Sequence, residues 1–173
     1  MKKVFQALVA ILLVLCVSTQ SSQAQLKRFS IGPFVEAGFP TGDFSNTHNT
    51  GYGLGLGADV KLVAGLTAVG SVSFMHFGGK TISGPTPGST QDVPAANVIP
   101  IRLGLRYKLF SMLYAKVEGG TAHFTGDYNS GVGALVAPGI GIRLLGLDVE
   151  AKYEAWFKDG THGFWGLKAG YNF

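Results

Sequence analysis

Apolar and polar residues alternate with a period of two along most of this chain, in stretches of about ten residues divided by Gly, Asn, Asp and Ser. Few folds tolerate that pattern repeated so often. Each stretch reads as a strand with one apolar and one polar face, because successive side chains of a strand point to opposite sides. Eight such stretches are predicted, over approximately Phe29–Phe39, Gly51–Lys61, Leu66–Phe77, Ala96–Leu109, Leu113–Phe124, Gly131–Leu144, Leu147–Lys158 and Gly163–Phe173. No segment offers the 18 or more consecutive apolar residues of a spanning helix.

The connections alternate in length. "PTGDFSNTHNT", "GGKTISGPTPGSTQDVPA", "TGDYNS" and "DGTH" are polar and mostly long, whereas "LVAG", "SM" and Gly146 are short. Short turns on one side and longer loops on the other are the pattern of an up-and-down barrel crossing an outer membrane. The fold class expected is therefore all-β, an eight-stranded antiparallel transmembrane up-and-down β-barrel. An even strand number puts both termini on the short-turn, periplasmic side.

Sorting by face gives one set dominated by Leu, Ile, Val, Ala and aromatic residues. The other set holds Glu36, Asp59, Lys61, Arg102, Arg106, Lys108, Lys116, Glu118, Arg143, Asp148, Glu150, Lys152, Glu154, Lys158 and Lys168. Alternation alone leaves the inside face open, and three arguments settle it. An eight-stranded barrel has an interior just wide enough for side chains to fill, which the large apolar set would overcrowd. The charged face carries Gly51, Gly53, Gly55, Gly57, Gly133, Gly139 and Gly141, and glycine is costly on a solvated strand but makes room in a narrow lumen. Aromatics gather near strand ends, at Phe39, Tyr52, Tyr107, Tyr153, Phe157, Trp165, Tyr171 and Phe173, as in the girdles at membrane interfaces. The apolar face is assigned to lipid. Ten residues rising about 3.3 Å each at a tilt of about 40° reach roughly 25 Å, the height of the apolar band. Slipping the seventh stretch by one residue would turn Asp148, Glu150, Lys152 and Glu154 toward lipid, at about 2–4 kcal/mol for a lysine at the midplane.

Composition agrees. Hydrophobic residues make up 46% of the 173 and charged residues 14%, with a mean hydropathy of +0.27; ordinary soluble domains carry about 25% charge. Residues 1–24 read as a secretory signal peptide: Lys2 and Lys3, an apolar run from Ala7 to Val17, then Ser22-Gln23-Ala24 before cleavage at Gln25. Leu15 is too large for a lipoprotein box ahead of Cys16, the single cysteine, so no lipid anchor and no disulfide are expected. Residues 25–173 form the barrel domain. They carry 12 Lys+Arg against 10 Asp+Glu, which lowers the net charge from +4 to +2 and gives no argument for nucleic acid as a partner.

The signal segment, the eight alternating strands, "PIRLGLRY" (Pro100–Tyr107) and the end "LKAGYNF" (Leu167–Phe173) resemble the small eight-stranded outer-membrane barrel family. Within it the chain is similar to OmpX/Ail and to the OmpA barrel, and most similar to the outer membrane protein beta-barrel domain of Bacteroidetes. The resemblance implies residence in the bacterial outer membrane, contact with its lipids, and handling by the barrel-assembly machinery, with Tyr171 and Phe173 as the C-terminal insertion signal. It does not imply the cell-wall tether of full-length OmpA proteins, whose C-terminal domain has no counterpart here.

The search for chemistry yields little. Arg102, Arg106, Lys116, Arg143 and Lys152 are expected to meet Glu36, Asp59, Glu118, Asp148, Glu150 and Glu154 across neighbouring strands. In so narrow a barrel that network reads as a salt-bridged plug in preference to a pore. "GLGLGAD" (Gly53–Asp59) matches a dinucleotide fingerprint formally but lies in a strand with no helix to follow. His48, His76, His123 and His162 show no metal-ligand spacing, and His48 and His162 are expected in loops with solvated side chains. "HFT" (His123–Thr125) faintly resembles the site of outer-membrane lipid A deacylases, but Thr stands for Ser and the next strand offers no suitable Glu. No catalytic residue, cofactor or metal is expected. The Gly78–Ala95 loop is the longest and is the candidate contact for a surface ligand. The expected function is structural or surface-interactive. The alternatives are a lipid A-modifying enzyme, a narrow channel, and an accessory barrel of a secretion machine.

Overall fold

A computed structural model describes residues 28–84, 89–126 and 130–173; the signal segment and its cleavage site lie outside them. Within the described residues the chain forms one closed barrel of eight antiparallel strands. These are β1 (Phe29–Thr41), β2 (His48–Val63), β3 (Leu66–Gly79), β6 (Ala96–Lys108), β7 (Leu113–Thr125), β8 (Gly131–Leu144), β9 (Leu147–Phe157) and β10 (Thr161–Tyr171). Two short strands, β4 (Thr81–Ser83) and β5 (Thr90–Asp92), pair with each other in the longest loop, and a five-residue helix, α1 (Asp43–Thr47), follows β1. Every barrel strand pairs with its neighbours in sequence around the ring, and β1 pairs with β10 to close it. Closure matters physically because an open edge leaves a row of unpaired backbone donors and acceptors.

Phe173 lies just past β10, and its amide donates to the Ile31 carbonyl at 3.0 Å, extending the closing seam by one bond. Thus the chain's last aromatic is held on the barrel wall, 75% exposed on the outside. The turns at that end are tight. Between β8 and β9 stand only Leu145 and Gly146, with φ of 51° and 88°, the left-handed pair that a two-residue hairpin of matching twist demands.

Alternation governs the wall throughout. On β6, Leu103 is 71% exposed and Arg102 beside it is 1% exposed. The outward face is apolar on all eight strands, with Leu54, Leu56, Ile101, Ile140 and Leu167 among its exposed members. Aromatic side chains mark both outer rims. Trp165 and Tyr153 stack edge-on at 5.3 Å near the loop end, and Tyr171 and Phe173 at 5.0 Å near the turn end.

The interior departs from expectation in its upper half. Instead of charges throughout, the loop end is filled by Phe77, Phe124, Trp156 and Phe164, with Phe44 of α1 dropped onto them as a lid. Trp156 meets Phe77 at 5.7 Å, Phe124 at 5.5 Å and Phe164 at 4.9 Å, all edge-on, the geometry that ring quadrupoles favour. These rings fit because glycine stands opposite. A Cβ at Gly51 would approach the Phe77 ring to 2.5 Å, closer than any packed carbon allows.

Two expectations fail here. His48 is no solvated loop residue: it opens β2, is 1% exposed, and its ring lies 4.7 Å from that of Phe44. His162 belongs to β10 and packs at 5.3 Å from Phe44. The aromatic lid recruits both as ring partners, which a local reading of a polar loop does not register. The long loop also has more form than a solvated cap. Lys80 donates its backbone N–H to the Thr47 carbonyl at 2.9 Å and its Nζ to the Ser45 carbonyl at 2.6 Å, tying that loop to α1.

Candidate functional site

Below the aromatic tier the lumen is lined by the charged residues, and their ion pairs fall into three groups. In the uppermost, Arg102 of β6 reaches across the lumen to Glu154 of β9. Its Nε lies 3.1 and 3.0 Å from the two carboxylate oxygens, and its Nη2 lies 3.0 Å from Oε1. The same guanidinium donates to Ser73 Oγ at 3.0 Å, and the Ser73 hydroxyl in turn donates a hydrogen bond to Glu36 Oε1 at 2.6 Å. Lys152 completes a neutral quartet, 2.8 Å from Glu36 and 2.7 Å from Glu154. Trp156 Nε1 donates to Glu154 at 2.7 Å and so joins this quartet to the aromatic tier. All four charged side chains are at most 1% exposed. Burial of charge on that scale is tolerable only with full pairing and hydrogen bonding.

In the middle group Lys116 Nζ sits 2.8 Å from Glu118 and 2.6 Å from Glu150. Lys168, an inward residue left out of the expected network, places its ammonium 4.0 Å over the Phe34 ring. At the turn end Asp59 and Asp148 are shared by two arginines. Arg106 lies 3.1 Å from Asp59 and 3.5 Å from Asp148. Arg143 lies 2.6 Å from Asp59 and is also paired with Asp148. Tyr114 donates to Asp148 at 2.5 Å, and the Arg106 guanidinium stands 5.2 Å over its ring.

The expectation of pairing across neighbouring strands is corrected. Only Arg143–Asp148 joins adjacent strands; Arg106–Asp59 passes over β3 to the strand beyond it, and Arg102–Glu154, Arg102–Glu36 and Arg143–Asp59 span the lumen. Long side chains in so narrow a tube reach the far wall, and the near wall often offers them only glycine. Gly166, for example, runs beside the Lys152 stem, where a Cβ would come within 2.9 Å. Between the lower two groups the remaining void is about 20 Å³, room for about one water.

Other sequence candidates are placed apart. His123 Nε2 lies 3.1 Å from Thr121 Oγ1, while the Thr125 hydroxyl donates to the Asn97 carbonyl at 3.2 Å. The His–Thr pair that a deacylase would use is therefore not assembled. Among the described residues no cluster of three metal-ligating side chains occurs. Sequence reasoning missed the aromatic tier, Ser73 and Tyr114, although parity was a usable signal: Trp156 and Phe164 fall on the same face as the charges of their strands, and Phe77 on the same face as Thr67, Ser71 and Ser73.

Neither a protein-family model nor a curated protein matches the chain. Solved structures do. Ail of Yersinia pestis, in complex with the heparin analogue sucrose octasulfate, is 18% identical with a TM-score of 0.50, over 84% of this chain and 97% of Ail. The N-terminal β-barrel domain of Pseudomonas aeruginosa OprF is 15% identical with a TM-score of 0.51, over 84% and 96%. A de novo designed transmembrane β-barrel is 14% identical with a TM-score of 0.51, over 83% and 95%. The fold is that of the eight-stranded outer-membrane barrels.

Proposed function

We propose that this chain is an integral protein of a bacterial outer membrane, a plugged barrel whose role is structural or surface-interactive and not catalytic. The observation that carries the reading is the inversion of the wall: exposed apolar side chains ring all eight strands, while the charged ones are buried within. In water that arrangement is unfavourable on both faces; in a bilayer it is favourable on both. The stacked quartet and aromatic tier support a sealed lumen over a conducting one. Residues 1–24 would direct export, and residues 25–173 would form the barrel with both termini in the periplasm. Tyr171 and Phe173, exposed at the closing strand, would be read by the barrel-assembly machinery. The Gly78–Ala95 loop would offer the surface contact. Ail holds a polysulfated ligand, but this loop carries Lys80 as its one cation and Asp92 against it, so anionic polysaccharide is a poor match for it. Net charge gives no reason to invoke nucleic acid.

The test is cell fractionation, followed by gel electrophoresis with and without boiling and by recording in planar bilayers. Outer-membrane enrichment, mobility that changes on boiling, and no discrete conductance steps are expected. A soluble periplasmic protein with unchanged mobility would refute the reading.

A further inference from the structure

We infer that the mouth of the barrel at its short-turn end is a binding site for a phosphate-bearing anion. A cavity of about 410 Å³ opens there, within the size range of small-ligand sites. Arg106, Arg143 and Tyr114 line its floor, and the two guanidinium groups are balanced by Asp59 and Asp148, with which they pair. Its walls add Lys61 of β2 and Lys108 of β6, both exposed and neither within ion-pair distance of a carboxylate among the described residues. The site therefore carries about two uncompensated positive charges.

What else lines the cavity defines the ligand. Thr67 and Ser111 contribute hydroxyl groups, Val63 and Met112 are apolar, and the only carboxylates at hand are the two already shared by arginines. Two lysine point charges with hydroxyl donors between them suit a compact dianion such as a phosphate monoester or diphosphate. The position is fixed by the fold. Lys61 stands opposite Thr67, and Thr67 opposite Arg106, on three adjacent strands. The Lys108 amide is tied to the Gly65 carbonyl at 2.8 Å, which holds the two rim turns together. The ligand cannot pass deeper, because the void beyond the floor is about 20 Å³. The mouth is thus a dead-ended cationic cup.

Two sources share this chemistry: a soluble phosphate ester of the periplasm, or the headgroup of an anionic phospholipid in the inner leaflet. The exposed Leu109, Phe110 and Leu145 beside the mouth would suit the second. The experiment titrates sodium pyrophosphate into the folded full-length chain by calorimetry, in nanodiscs of phosphatidylcholine. Saturable binding is expected, weakened about tenfold or more in K61Q/K108Q, with the variant's gel mobility unchanged. In the unaltered chain, saturating pyrophosphate should shield Lys61 and Lys108 from amine acylation and leave Lys80, at the opposite rim, reactive. If phosphatidylglycerol nanodiscs abolish pyrophosphate binding, the site belongs to a lipid headgroup; if they do not, it belongs to a soluble ester, and the site stands in either case. No saturable binding in phosphatidylcholine, the same affinity in K61Q/K108Q, or equal protection of all three lysines would overturn the inference.

Discussion

The two halves of the lumen solve one problem in opposite ways. Toward the loops, a barrel too narrow to hold water is filled with rings; toward the turns, with ion pairs. Rings fill by shape and need only glycine across from them, as Gly51 lies across from Phe77. Charges fill by pairing and need partners placed to a fraction of an ångström. The ring half should therefore absorb substitution by settling, and the charged half should not. Trp156 sits at the boundary and takes part in both, with its ring among the phenylalanines and its N–H on Glu154.

The largest effect is expected from R102A. It leaves Glu36 and Glu154 buried with only Lys152 between them, a loss of about 3–5 kcal/mol, read as a lower urea midpoint for the unboiled-to-boiled mobility change in detergent. A midpoint within error of the unaltered chain would show that water replaces the guanidinium and that the lumen is wetter than its packing suggests. W156F tests the boundary. It keeps a ring but removes the donor to Glu154, and about 2 kcal/mol should be lost; an unchanged midpoint would make the two halves independent. The smallest effect belongs to K168M, where an ammonium over Phe34 is exchanged for a thioether and about 0.5 kcal/mol is at stake. If K168M were as damaging as R102A, the middle group would depend on Lys168 for its charge balance, and the separation into three groups would fail.

Much of the wall was legible in the sequence because strand alternation is a local property. Parity alone separates Leu103 from Arg102, and it fixes the seventh stretch with Asp148, Glu150, Lys152 and Glu154 on one face. Sorting by polarity in place of parity hid the aromatic tier, since Trp156 continues that same inward row and was passed over for being apolar. Partner choice was not legible at all. Whether Arg102 meets Glu154 or a neighbour on β7 depends on the diameter and stagger of the closed ring, which no single strand encodes. The loop elements were hidden for a related reason. Helix α1 has five residues and no side-chain cap, too short to form by propensity. Phe44 on the ring tier and Lys80 on the Ser45 carbonyl hold it in place.

The pairing across the lumen also bears on how such a barrel comes to exist. Lys152 and Glu36 are 116 positions apart, and Arg102 and Glu36 are 66 apart. As the chain is made, Glu36 has neither of its cations until β6 brings Arg102, and it lacks the nearer one, Lys152, until β9 is present. Loop-closure entropy opposes such distant contacts until the intervening strands have joined. Its carboxylate must therefore stay hydrated while the first strands assemble, and the interior can dry only when the final seam shuts. Drying and closing become a single late event, and a chain that stops short of β9 leaves the acid on its first strand without Lys152, the nearer of its two cations.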